Sequence, residues 1–391
     1  MRRIAALVAA ALALAGCTGT FTPAAPTLYL VFLDAGGGLP ARVALLAFEA
    51  TPTERRLDLL TASAYAFEPD EAPFAVDVRD RDDRTEAWVL TAVGAGRGVR
   101  LHRLDLRAVA DAPGTTIGAA AAPRTLTDAD GAWVGFGDAT FPTGCLADLV
   151  VAADGASLAL WDAGSDARCG EVPGAFPQVH VLDLVEEEVR ATLLDAFAPG
   201  VAPAEPGDAD GLLLVQRPVG SLDARRVTPV TFEAPRPDLG APTTVVEGLL
   251  DVVGVPGGFA TLRASAGGDR QIGVVIDGIA TERAAPAGAT ALHADPTGRL
   301  ANLLTTGGGR LGVTYPGEPT LRELTFDASD LTIEPLNAYA LAVRPAGGLC
   351  LVDLLVASGS PSCDLTIDPA LAAALPAPRF VTWTYAEPVA P

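Results

Sequence analysis

The sequence predicts an all-β chain of six or seven small sheets, and three observations carry that prediction. Short runs rich in Val and Leu recur over the whole length, each closed by Gly, Asp or Pro. Gly (41) and Pro (32) make up about a fifth of the 391 residues, with no three-residue period. The third observation is that long helical periods are missing. Residues 27–33 form the first run, followed by Gly36-Gly37-Gly38 and a second run at 42–48. Residues 87–93 and 99–106 repeat the arrangement about the turn at 94–98. Residues 148–153 and 157–161 flank Asp154-Gly155, a pair that signals a hairpin because both positions tolerate positive φ.

The same grammar continues through 212–216 with 225–232, then 248–253 with 258–263. It runs on through 291–304 around 295–298, through 310–315, and through 340–355 around Gly347-Gly348. Turn centres fall near residues 37, 96, 155, 219, 257, 297 and 347. That spacing fits four-stranded units, each unable to bury its own face and stacking on its neighbours. The final run, 380–385, is aromatic and β-branched and is expected to pair with 28–33 and close the body on itself. Two segments depart from the pattern. Residues 183–197 fit either a helix capped by Asp183 or a strand. Asp368-Pro369 followed by 370–375 and Pro376 predicts a short helix.

In this grammar the chain resembles β-propellers of the WD40-like and bacterial envelope kind. The Gly-His and Trp-Asp pairs of WD40 repeats do not recur, and Trp161-Asp162 is a single occurrence. The resemblance implies a six- or seven-bladed propeller over residues 28–391. The alternative is two β-sandwich domains, with the Pro-rich stretches 199–207 and 235–242 as linkers.

Composition narrows the function classes. The 48 Asp+Glu outnumber the 27 Lys+Arg, all of which are Arg, for a formal charge of −21. Such an acidic surface is repelled by phosphate backbones and argues against nucleic-acid binding. The membrane enters at the N-terminus instead. Arg2 and Arg3 precede an apolar run, 4–15, too short to span a bilayer and proportioned like a signal-peptide core. It ends in Leu14-Ala15-Gly16-Cys17, which resembles the lipobox of bacterial lipoproteins. The resemblance implies removal of residues 1–16, lipidation of Cys17 and a lipid-anchored, extracytoplasmic protein. Thr18, standing where those families use Asp for inner-membrane retention, favours the outer membrane or cell surface. Residues 17–27 then form a tether, with a reach of roughly 35 Å at ~3.3–3.6 Å per extended residue.

The remaining cysteines, Cys145, Cys169, Cys350 and Cys363, are even in number, as expected of two disulfides in an exported chain. Three pairings exist. Pairing sequence neighbours closes short loops inside local hairpins, so Cys145 with Cys169 and Cys350 with Cys363 is the expectation. A zinc site would want closely spaced Cys pairs, whereas His102, His180 and His293 are scattered.

Other candidate chemistry is sparse. Asp128-Ala129-Asp130-Gly131 and Asp208-Ala209-Asp210-Gly211 resemble fragments of calcium loops, since hard cations want clustered carboxylates and a Gly at the bend. Neither extends to a full loop, and Asp-Gly turns account for both. The alternating charges of Arg79, Asp80, Arg81, Asp82, Asp83 and Arg84 read as a solvated loop, and Glu186-Glu187-Glu188 as a solvent face. No serine sits in a Gly-x-Ser-x-Gly elbow, and the histidines lie in strands where each is expected to meet solvent or a backbone partner. No cofactor is implied. The reading is a binding or scaffolding module with an envelope protein or glycan as partner. Its alternatives are an extracellular hydrolase or lyase with a central site, and a solute- or calcium-binding lipoprotein.

Overall fold

The computed structural model describes residues 27–384 apart from connecting segments, the longer of which are 232–243, 295–302 and 355–377. It is a β-propeller of six four-stranded blades and a seventh sheet with three described strands. Blade 1 contains Thr27–Leu33, Arg42–Thr51 and Arg56–Ala66, and the C-terminal strand Pro378–Thr384 is added to its edge beside Thr27–Leu33. Blades 2 to 7 then follow in sequence order, beginning at Glu71, Leu146, Ala196, Leu249, Ala291 and Asp330.

Each blade is an antiparallel meander whose first strand is innermost. Middle strands lie between two neighbouring blades and are buried on both faces, so many read as apolar runs. Tyr339–Val343 is buried at every position, and so is Gln178–Asp183, although it carries Gln178, His180 and Asp183. Outermost strands such as Ile279–Ala284 face water and carry charge.

Facing apolar layers join successive blades. Val43, Leu45 and Val89 join blades 1 and 2, and Leu90, Leu149 and Leu160 join blades 2 and 3. Val150 and Leu214 join 3 to 4, Val215 and Val252 join 4 to 5, Leu262 and Leu303 join 5 to 6, and Leu311 and Leu331 join 6 to 7. The last joint returns to blade 1, where the Val381 N–H donates to Asp330 Oδ2 at 2.8 Å. Leu30 pairs with Thr382, and Phe32 stacks on Phe380 at 4.1 Å, as expected of the closing strand. A closed ring replaces the two-sandwich alternative.

One open alternative is decided and one expectation needs correction. Residues 183–197 take the strand alternative and hold no helix: strands Gln178–Asp183 and Glu188–Leu194 pair, and Ala196–Glu205 starts the next blade. Asp183 does act as a cap, but of a hairpin turn, its Oδ1 accepting the Val185 and Glu186 N–H groups. The alternating charges of 79–84 predict a solvated loop, but Arg79 to Arg81 end one strand of blade 2, Arg84 begins the next, and Arg79 is buried, while Asp82 and Asp83 lie outside the described residues. The helix expected at 370–375, and Cys17 with its tether up to residue 26, lie outside the described residues.

Candidate functional site

The innermost strands converge on the ring's axis and carry an acid flanked by small or apolar residues in four of the seven blades. These are Val76-Asp77-Val78, Ala147-Asp148-Leu149, Leu250-Asp251-Val252 and Ser329-Asp330-Leu331. Their carboxylates act as clasps. In Asp148, Asp251 and Asp330, Oδ1 accepts the N–H of the following residue at 2.8 to 2.9 Å. The other oxygen reaches the next blade: Asp77 Oδ2 accepts from Val151, Asp251 Oδ2 from Leu292 and Asp330 Oδ2 from Val381, at 2.7, 2.7 and 2.8 Å. Blade 2 doubles the clasp, because Arg79 Nε donates to the Val151 carbonyl at 2.9 Å while its guanidinium pairs with Asp77. One residue of blade 3 is thus held through both of its backbone groups. In blade 6 the bridging part falls to His293, whose ring bonds Thr306 Oγ1 at 3.1 Å and the backbone of Leu331 in blade 7.

Asp148 is the exception. Among the described residues no N–H from blade 4 reaches it, so only the Leu149 N–H favours its charge. Burial pushes its pKa up to about 7, and repulsion from Asp77 and Asp251 adds to the shift. Sensing Asp251, two blades away, places both carboxylates near the axis. Asp251 and Asp330, each with a cross-blade donor, are raised by burial to about 6, and Asp77 is raised against the opposing pull of Arg79. Burial lowers His293 to about 4, so it is neutral at physiological pH.

Two further polar groups sit between strands. Glu71 accepts from Arg100 at 2.8 Å and meets His102 Nε2 at 3.1 Å, under Tyr65 and Phe67. Burial holds His102 below its usual value. Asp162 receives the N–H groups of Gly144, Cys145 and Gly164 and lies 3.5 Å from His180 Nε2; despite burial, these bonds keep its carboxyl low. His102 and His180 are therefore buried beside carboxylates, not turned to solvent or to backbone.

The other sequence candidates separate. Cys145 and Cys169 are disulfide-bonded, tying the start of blade 3 to its second turn. Cys350 is also disulfide-bonded, while Cys363 lies outside the described residues. Asp128 is consumed by its own turn, its Oδ1 accepting the N–H groups of Asp130 and Ala132. Asp208 and Asp210 fall in the strand Asp208–Gln216, and their side chains lie outside the description. Among the described residues the only metal-spaced trio is Cys145, Asp166 and Cys169, whose thiols are spent in the disulfide. The axial acids were missed by sequence reasoning, although an Asp between apolar neighbours in four comparable strands was a usable signal.

No family model and no curated protein matches the chain. Solved structures do. A Bacteroides uniformis protein assigned provisionally as a 6-phosphogluconolactonase matches with a TM-score of 0.58 at 12% identity, over 92% of this chain and 99% of that one. Its Bacteroides fragilis counterpart, with the same provisional assignment, matches with a TM-score of 0.53 at 11% identity, over 93% and 99%. At that identity the likeness shows the propeller fold.

Proposed function

We propose that the protein is a lipid-anchored propeller of the bacterial envelope, held by acylated Cys17 at the outer membrane or cell surface, where it binds or scaffolds another envelope component. The observation that carries the anchor is the charged start, the short apolar run and Leu14-Ala15-Gly16-Cys17 in series. The use of the axial acids supports binding over turnover: three of the four spend both oxygens, or an oxygen and an ion pair, in holding blade to blade. A single acyl chain binds membranes only marginally, so full lipoprotein acylation of Cys17 would be needed to hold an acidic body.

Cys17→Ser is the test. The parent chain should sediment with membranes and the variant should not; unchanged sedimentation refutes the anchor. Because the chain has no lysine, an N-acylated product should also resist amine-directed labelling.

One observation favours a second reading, an extracellular hydrolase or lyase with its site at the axis. Asp148, with a pKa of about 7, has the proton affinity of a general acid or base. Turnover of a glycan panel, abolished by Asp148→Asn, would establish it in place of the scaffold.

A further inference from the structure

A blade alternates direction strand by strand, so its turns divide between two rims. Links from second to third strand, and from one blade to the next, share one rim. Links from first to second and from third to fourth share the other. Thr27 begins the second strand of blade 1, so that strand starts on the latter rim. The opposite rim carries an exposed apolar patch where blades 3 and 4 meet.

Leu222, 79% exposed, lies in the second-to-third link of blade 4, and Phe176, 42% exposed, in that of blade 3. Leu194, 43% exposed, ends the outer strand of blade 3, and Phe197 starts the inner strand of blade 4. Backbone and side-chain bonds knit these positions together. Gln216 Nε2 donates to the Leu194 carbonyl, Ala196 N–H to the Pro177 carbonyl, and an Arg225 amine to the Leu222 carbonyl.

Two guanidinium groups sit inside this patch, Arg217 and Arg225, each 4.8 Å from the Phe197 ring centroid. Arg217 pairs with exposed Asp195, an ion pair worth little in water and easily exchanged. Arg225 is steadied by the carbonyls of Leu222 and Ala224, and no carboxylate pairs with it among the described residues. A chain of charge −21 repels acidic partners over most of its surface. Arg217 and Arg225 offset the exposed carboxylates of Asp195 and Asp223 and lift that repulsion locally, and such aromatic and Arg clusters are the usual anchors of protein interfaces.

We infer that this patch is the docking surface for an acidic protein segment carrying an apolar side chain, the carboxylate meeting Arg217 and Arg225 and the apolar group covering Leu222, Phe176 and Leu194. The inference deepens the proposed binding function, but it does not depend on lipidation. The purified full chain in detergent is used to select from a randomised seven-residue peptide display library, and enriched peptides are synthesised for affinity measurement. Enriched peptides should combine Asp or Glu with Leu or an aromatic residue, weaken at least tenfold when their acids become amides, and weaken at least tenfold against Arg225→Gln and Leu222→Ser. Leu222 is an exposed position in a link and Arg225 a half-buried one at the start of a strand, and both variants should melt like the parent. Enrichment without acidic bias, equal affinity for parent and variants, or no enrichment overturns the assignment. So does Leu222-dependent co-sedimentation with phosphatidylglycerol vesicles, which would make the patch a lipid contact. Loss of membrane anchoring in Cys17→Ser moves none of these readouts, so the two proposals fail separately.

Discussion

Asp148→Asn isolates the charge state of the axis. The carboxyl accepts the Leu149 N–H through Oδ1, a part that an amide oxygen can fill, so the substitution removes an ionisation and keeps the bond. A carboxyl near 3.8 in the unfolded chain and about 7 in the fold keeps a proton that the unfolded chain has already released between those values. The folded state binds more protons there, so stability falls as pH rises through the window and levels off above it. Integrating from pH 5 to pH 8 gives a loss of about 2.5 kcal/mol in the parent that the Asn variant does not suffer. Asp77, Asp251 and Asp330 act in the same direction, the last two up to about pH 6. His102 and His293, both lowered, act oppositely, their contribution fading as pH falls below 6.5. Those groups are common to both proteins, so the comparison removes most of their effect. The assay is urea unfolding of parent and variant at pH 5 and pH 8, at fixed ionic strength. The variant should gain on the parent by about 2 kcal/mol or more over that interval. A constant gap, or a parent that gains on the variant, would refute the picture of an under-compensated carboxylate at the axis.

Further expectations follow from the same geometry. Asp330→Ala leaves the Val381 N–H without its acceptor and should cost about 1–3 kcal/mol, with faster hydrogen exchange at Val381 marking a loosened closing strand. Cys145→Ser opens a disulfide spanning 24 residues and should lower stability by about 3 kcal/mol, with Cys169→Ser giving the same loss. Gly200→Ala places a methyl group 2.1 Å from the Trp161 ring, so overpacking of about 1–3 kcal/mol should appear as a lower melting temperature with altered tryptophan fluorescence.

Much of the propeller was legible because strands buried on both faces leave uninterrupted apolar runs, and because tight turns demand particular residues. Leu149 opposite Leu160, Leu214 opposite Thr228 and Leu341 opposite Leu351 all pair as the strand grammar predicts. The seven turn centres fall one to each sheet, yet their steps looked irregular for a structural reason. Those near 37, 96, 219 and 347 join second to third strands, while those near 155, 257 and 297 join first to second. What misled the reading was long-range pairing. Arg79 belongs to an alternating charge run that is ordinarily solvated, but its buried position depends on a carbonyl 72 residues away in the next blade.

The axial acids show the same limit in a sharper form. An Asp between apolar residues in a strand is locally out of place, and that oddity is visible in the sequence. Its meaning is not visible, because the compensating N–H lies 74 residues on for Asp77, 41 for Asp251 and 51 for Asp330. At Asp148 the same local pattern meets no such donor among the described residues, and its pKa is pushed up to about 7, against about 6 for Asp251 and Asp330. Four similar peptides therefore differ in the charge they carry at neutral pH, and the cause lies in the neighbouring blade. A buried carboxylate stays ionised only where backbone dipoles or a cation replace the water it has lost. In this ring that replacement is made across the joint between blades, so the joint from blade 3 to blade 4 is where charge and closure are least well matched. The exposed patch of Phe176, Leu194 and Leu222 lies at that same joint. A ligand bound there would bear on an interface that the axial clasps leave unfastened and that holds Asp148, so peptide binding and the protonation of Asp148 should be thermodynamically linked.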